Sequence, residues 1–120
     1  MRKNNFFIDL ETFYIVLFCN SLIIKILIEE VGIMILYPAI LKTIDPKKDE
    51  DILQIHLDYL NNLISQGKVF AKGPFTDHSG GLIIFKVNSL EEARELIEND
   101  PVIVNKSREY ELKEWRSNVE

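Results

Sequence analysis

The segment from Asp45 to Gly67, DPKKDEDILQIHLDYLNNLISQG, is the chain's best helix, and its two-sidedness most constrains the fold. Stepped at about 100° per residue, Ile52, Leu53, Ile55, Leu57, Tyr59, Leu60, Leu63 and Ile64 fall on one broad arc. Glu50, Asp51, Gln54, Asp58, Asn61 and Ser65 fall on the other. A face this apolar has to pack on a sheet or on another helix. His56 sits near its centre, one turn from Ile52, Tyr59 and Leu60. A buried polar ring without a partner costs about 1–3 kcal/mol, so the pattern predicts that something holds the imidazole. Two readings of His56 stand at this point: a satisfied core histidine, or an acid–base group.

The rest of the chain supplies that helix with a sheet. Met34–Lys42 (MILYPAILK) is an apolar run of strand length, and Pro38 inside it points to an edge strand or a bulge. Asp45 is the expected N-cap of the first helix, with Pro46 at its first position, and Gly67 is its expected end. Lys68–Lys72 and Gly81–Val87 read as two strands joined by the turn-rich loop from Gly73 to Gly80. Ser89 and Glu92 have capping-box spacing ahead of a second helix, whose apolar stripe is Leu90, Ala93, Leu96 and Ile97. Pro101 forbids its continuation, so Asn99 and Asp100 are expected at its exit. Tyr110–Trp115 alternates at period two and makes a fourth strand. The order β-α-β-β-α-β predicts an α+β, ferredoxin-like domain over residues 34–120, with both helices on one face of an antiparallel sheet. The other face would be left for a second copy of the chain.

Residues 1–33 are unlike this domain. Phe13 to Ile28 form an apolar run interrupted by Asn20, Ser21 and Lys25 and closed by Glu29 and Glu30. Three readings of this N-terminal extension are open: a membrane anchor through residues 13–28, an added amphipathic helix, or upstream sequence ahead of a native start at Met34. The formal charge of −5 argues against nucleic acid as a partner. The single cysteine, Cys19, cannot form an internal disulfide, which favours the cytoplasm over secretion. One Cys and two His do not make a four-ligand zinc site without carboxylates, and no metal or other cofactor is expected.

Asp100 is the second unusual residue. A carboxylate at a helix C-terminus meets the negative end of the helix dipole, although Asp-Pro is also a common turn-starting pair. An Asp accepting from one imidazole nitrogen would fix the tautomer and free the other nitrogen for proton transfer. In the loop, Gly73 and the Gly80-Gly81 pair would let backbone amides approach an anionic ligand, with Pro74 and Asp77 beside them as further binding candidates. Asp77 and His78 are adjacent and diverge, which makes them a poor metal pair. Tyr59 and Tyr37 bring hydroxyls to the same gap between helix and sheet.

His56-Leu57, Gly67, Gly73-Pro74, Gly80-Gly81, Ser89-Leu90-Glu91-Glu92-Ala93 and Asp100-Pro101 occur in an order that resembles the YCII-related domain, from about Met34 to Trp115. The resemblance implies ferredoxin-like protomers paired as a dimeric α/β-barrel, related to the muconolactone isomerases. It implies an active site at His56 and Asp100, with Asp77 matching an acidic position of the Gly-Pro loop. Val102 stands where the family usually has an aromatic residue, and Val104-Asn105-Lys106 also departs from the pattern. The extension is no part of that pattern, which favours a start at Met34. The expectation is a small, cofactor-free isomerase or lyase in which His56 moves a proton on a small, cyclic or enolisable organic acid. The alternatives are a non-catalytic module binding the same ligand, and a membrane-tethered version of either.

Overall fold

The computed structural model describes residues 33–119, so the readings of the leader and of the apolar run at 13–28 lie outside the described residues. Leu36–Trp115 form one compact unit. It holds the elements below save Met34 and Ile35 of the first strand and Arg116 and Ser117 of the last. The elements are β1 (Met34–Thr43), α1 (Pro46–Asp51), α2 (Leu53–Ser65), β2 (Val69–Pro74) and β3 (Gly80–Phe85), then α3 (Leu90–Glu98), α4 (Pro101–Val104), β4 (Arg108–Leu112) and β5 (Trp115–Ser117). The strands form an antiparallel sheet in the order β2-β3-β1-β4, with β5 also pairing with β1. This is the ferredoxin-like order. Among the described residues no helix is long and apolar enough to cross a membrane.

Period two places Tyr37, Ala39 and Leu41 on one face of β1. They lie opposite Phe85, Ile83 and Gly81 of β3, and all six are buried. Leu36 of β1, Leu60 and Leu63 of α2, Ala93 and Ile97 of α3, and Val102 of α4 are also buried. The arc of the first helix is broader than the face that packs: Leu53, Ile55 and Ile64, toward its margins, are exposed.

Pro38 is in a central strand, so of the two expectations for it, an edge strand or a bulge, the edge position fails. In extended chain the N–H and C=O of one residue point the same way. The Pro38 carbonyl accepts from Lys113 N at 3.0 Å, so its missing N–H would face that same neighbour. The neighbour is interrupted there, with β4 ending at Leu112 and β5 beginning at Trp115. A proline is tolerated in mid-sheet because the adjacent ladder has a gap where the donor is missing.

The helix ends follow their local chemistry. Asp45 caps α1 by accepting from Lys48 N at 3.1 Å. The segment expected to be one helix is two, parted at Ile52, whose angles of φ −107° and ψ 11° leave the helical region. The carboxylate of Asp49 is drawn to Arg108 and Ser107, while Leu60 and Leu63 sit on the sheet. The turn at Ile52 lets the two halves meet both demands. Gly67, at φ +75°, closes α2 with Gly67 N bonded to Ile64 O and Lys68 N bonded to Leu63 O. Ser89 caps α3 through Glu92 N at 3.1 Å.

Asp100 corrects the sequence reading. It does follow α3, but it is the N-cap of α4, accepting from Val102 N at 3.1 Å, with Pro101 in the first turn. Its carboxylate therefore meets the favourable end of a short helix. At the loop's end, Gly80 lies at φ +156°, and any Cβ there would collide with the Leu41 carbonyl. The close approach of β1 to the start of β3 requires glycine.

Candidate active site

The middle turn of α2 delivers His56 to the interior, and the cap of α4 delivers Asp100 to the same point. His56 Nδ1 lies 2.7 Å from Asp100 Oδ1, across 44 residues of chain. The two side chains are 6% and 0% exposed. A carboxylate oxygen only accepts, so Nδ1 donates, and in the neutral ring the lone pair is on Nε2. Nε2 has no hydrogen-bond partner among the described residues. Asp100 Oδ1 serves two donors, His56 Nδ1 and Val102 N, whereas Oδ2 is buried with no partner among the described residues.

His56 forms part of the wall of a pocket of about 110 Å³ between α2 and the sheet. Leu57 and Leu60 of α2 and Leu41 of β1 give it apolar sides. Gly73 and Pro74 of β2 and Gly81 and Ile83 of β3 line the sheet side. Gly81 lets β2 pass close to β3 here, since a Cβ there would stand 2.9 Å from the Gly73 carbonyl oxygen. An apolar cavity of about 150 Å³ accepts benzene, so this pocket is on the scale of a single small ring. Two cationic residues also line it, the exposed Lys72 of β2 and the largely buried Arg108 of β4.

The structure thus brings His56, Gly73, Pro74 and Gly81 together at the pocket and sets Asp100 behind the ring of His56. Gly80, Asp77 and Tyr59 are elsewhere. Gly80 shapes the turn. Asp77 folds back on its own loop, accepting from Ser79 N at 3.0 Å and Ser79 Oγ at 2.6 Å. Those bonds hold its carboxyl below the usual range. Tyr59 OH donates to Leu96 O at 2.7 Å, tying α2 to α3. Burial, then the charge of Asp100, pushes its phenol up to about 12.

Lys72 and Arg108 escaped the sequence reading. Arg108 shares the period-two face of Tyr110 and Leu112, so a strand begun two residues earlier would have put it on the helix-facing side. Its guanidinium grips Asp49 of α1 twice, Nε to Oδ1 at 2.7 Å and Nη2 to Oδ2 at 2.9 Å. Ser107 Oγ donates to the same carboxylate at 2.9 Å. Burial alone would raise the Asp49 carboxyl. The hydrogen bonds from Arg108 and Ser107, and the charge of Arg108, outweigh burial and hold it below the ordinary 3.8. Because the folded value lies below the unfolded one, this stabilisation is full above about pH 4 and is lost as pH falls through the folded value. Urea unfolding of wild type and Asp49→Asn from pH 7 to pH 2.5 checks this. The variant should be less stable by about 1–3 kcal/mol at neutral pH, and the gap should close below pH 4. A gap that persists unchanged in acid would refute the assignment.

Among the described residues no group of three or more His, Cys, Asp or Glu side chains is placed to hold a metal ion.

Comparison with known proteins agrees with the fold. The model of the YCII-related domain matches residues 33–116. The uncharacterized protein YjpA of Bacillus subtilis (strain 168) is 36% identical over 61 residues, which are 51% of this chain and 72% of that protein. Among solved structures, 5-chloro-2-hydroxyhydroquinone dehydrochlorinase (TftG) from Burkholderia phenoliruptrix AC1100, in complex with 2,5-dihydroxybenzoquinone, superposes with a TM-score of 0.59. The match covers 68% of this chain and 93% of that one at 22% identity, a likeness of fold.

Proposed function

The chain belongs to the YCII-related domain family, and from that premise and the pocket geometry we propose that it is a small enzyme in which His56 moves a proton on a ring-sized organic acid. The observation that carries this reading is the buried bond of 2.7 Å between His56 Nδ1 and Asp100 Oδ1. It dedicates one ring nitrogen to a carboxylate and leaves the other as a base at a pocket. In the forward step Nε2 takes a proton from an acidic carbon or hydroxyl of the ligand. The bonding pair stays on the ligand as an enolate or dienolate. That pair then either expels a leaving group, which departs with its own bonding electrons, or is reprotonated elsewhere by the imidazolium. The first outcome is a lyase reaction, the second an isomerisation. Asp100 orients the ring and faces the positive charge it acquires. The solved fold relative, named a dehydrochlorinase and holding a dihydroxybenzoquinone, is a precedent for such a compound on this scaffold.

The test is a screen of chlorinated hydroxyquinols and hydroxyquinones, followed by ultraviolet-visible spectra and halide release. Catalysed loss of halide, or a catalysed shift between tautomers, is the expected result. Ligands that bind and leave unchanged would make the chain a binding module instead. Pairing of two protomers through the sheet belongs to the same proposal, and a solution mass of one 14.0 kDa chain would remove it.

A further inference from the structure

We infer that the pocket selects a planar anion through Lys72 and Arg108, and that Asp49 is the positioning residue that aims Arg108. The inference rests on the reading of the pocket as a small-molecule site. Its own support is the charge of the wall. Lys72 and Arg108 line it, and among the described residues no acidic side chain does. Two carboxylates stand just outside, each holding one lining side chain from behind: Asp100 holds His56 and Asp49 holds Arg108.

The geometry of the second pair leaves a specific edge for a ligand. Asp49 takes the side of the guanidinium formed by Nε and Nη2. A guanidinium carries five N–H donors in a rigid fork, so the Nη1–Nη2 edge keeps donors for a second acceptor. That edge suits a carboxylate, an enolate or a phenolate. Lys72 has no ion-pair partner among the described residues and brings a mobile point charge from the opposite strand edge of the sheet. With Leu41, Leu57 and Leu60 as apolar sides, the wall fits a flat ring that carries negative oxygen. The ligand class is a monocyclic acid, enol or hydroxyquinone ionised at neutral pH. Its charged oxygen would meet the two cations, and its transferable proton would meet Nε2.

The test compares two rings of one size on the full chain by titration calorimetry. The first is 2,5-dihydroxybenzoquinone, a vinylogous acid ionised at pH 7, and the second is uncharged hydroquinone. The anion should bind at least about ten-fold more tightly, and raising the salt concentration should narrow the difference. Lys72→Gln should weaken the anion by about ten-fold and change hydroquinone by less than about two-fold. Arg108→Gln leaves Asp49 unpaired and risks the fold, so the double variant D49N/R108Q, which removes both charges, carries the same expectation. Asp49→Asn alone should raise KM for the anionic substrate while leaving kcat within about two-fold, a split that a merely structural role would not produce. Equal affinity for the two rings, binding of neither, or an indifferent Lys72→Gln would each overturn the inference. His56→Gln separates it from the reading it rests on. If that variant binds the anion but still turns substrate over, the base is misassigned and the anion site stands. If turnover vanishes but no preference for the anion exists, the anion site falls and the base stands.

Discussion

Replacing His56 with glutamine should lower kcat by about 10³-fold, the usual scale of general acid–base catalysis, and leave a folded protein. Glutamine can place an amide N–H near Asp100 Oδ1, so the buried carboxylate keeps a donor. It cannot accept and release a proton near neutral pH. His56→Ala is the less informative change. It would strip the carboxylate of its side-chain donor in a site where Asp100 is wholly buried, and leaving a buried charged group short of a hydrogen bond costs about 1–3 kcal/mol or more. The measurement is steady-state turnover beside a thermal melt. Retained turnover within ten-fold of wild type would end the case for His56 as the base. Loss of turnover together with loss of cooperative melting would make it a structural residue.

Asp100 should be costly to change in either property, and two variants separate them. Asp100→Ala removes the N-cap of α4, worth about 1 kcal/mol, and leaves His56 Nδ1 buried without an acceptor, a further ~1–3 kcal/mol. A loss of about 2–4 kcal/mol lowers the melting temperature by roughly 10–25 °C in a domain of this size. Asp100→Asn keeps a carbonyl oxygen to receive both His56 Nδ1 and Val102 N. Its amide group, however, takes the place of Oδ2, which has no partner among the described residues, so a smaller loss of about 1–3 kcal/mol is expected. Its main effect should be on turnover, because the negative charge facing the imidazolium is gone. A fall in kcat of about 10²-fold or more in a protein that still melts cooperatively would fit the assignment. Wild-type turnover in Asp100→Asn would show that the carboxylate serves the fold alone.

Helical periodicity was enough to place His56 at the centre of the packed face, because that pattern is local. It also made the arc too broad. Whether Ile55 and Ile64 meet the sheet depends on where α2 lies across the strands, which no local period encodes. The break at Ile52 was hidden for a related reason: it answers a bond between Asp49 and Arg108 that spans 59 residues. Asp100 is the opposite case, since its helix was readable. Asp45-Pro46 and Asp100-Pro101 are the same start signal, cap then proline. In the sequence the second reads as an exit, because α3 ends just before it and α4 is only one turn long. Pro38 marked an interruption in the sheet correctly in kind and wrongly in place, since the gap falls in the strand beside it. The pocket's cations were the least legible part. Lys72 and Arg108 are ordinary strand residues until the fold brings them to one wall.

In the proposed reaction the two carboxylates act from outside the pocket wall, each through one side chain that lines it. The hydrocarbon sides, among them Leu41 and Leu57, make no bond to either carboxylate. Exchanging one aliphatic residue for another would then alter the shape of ring admitted without disturbing the proposed proton transfer. Within a lineage built this way, leucines and isoleucines would be free to vary for shape while the two acid-backed side chains stay fixed.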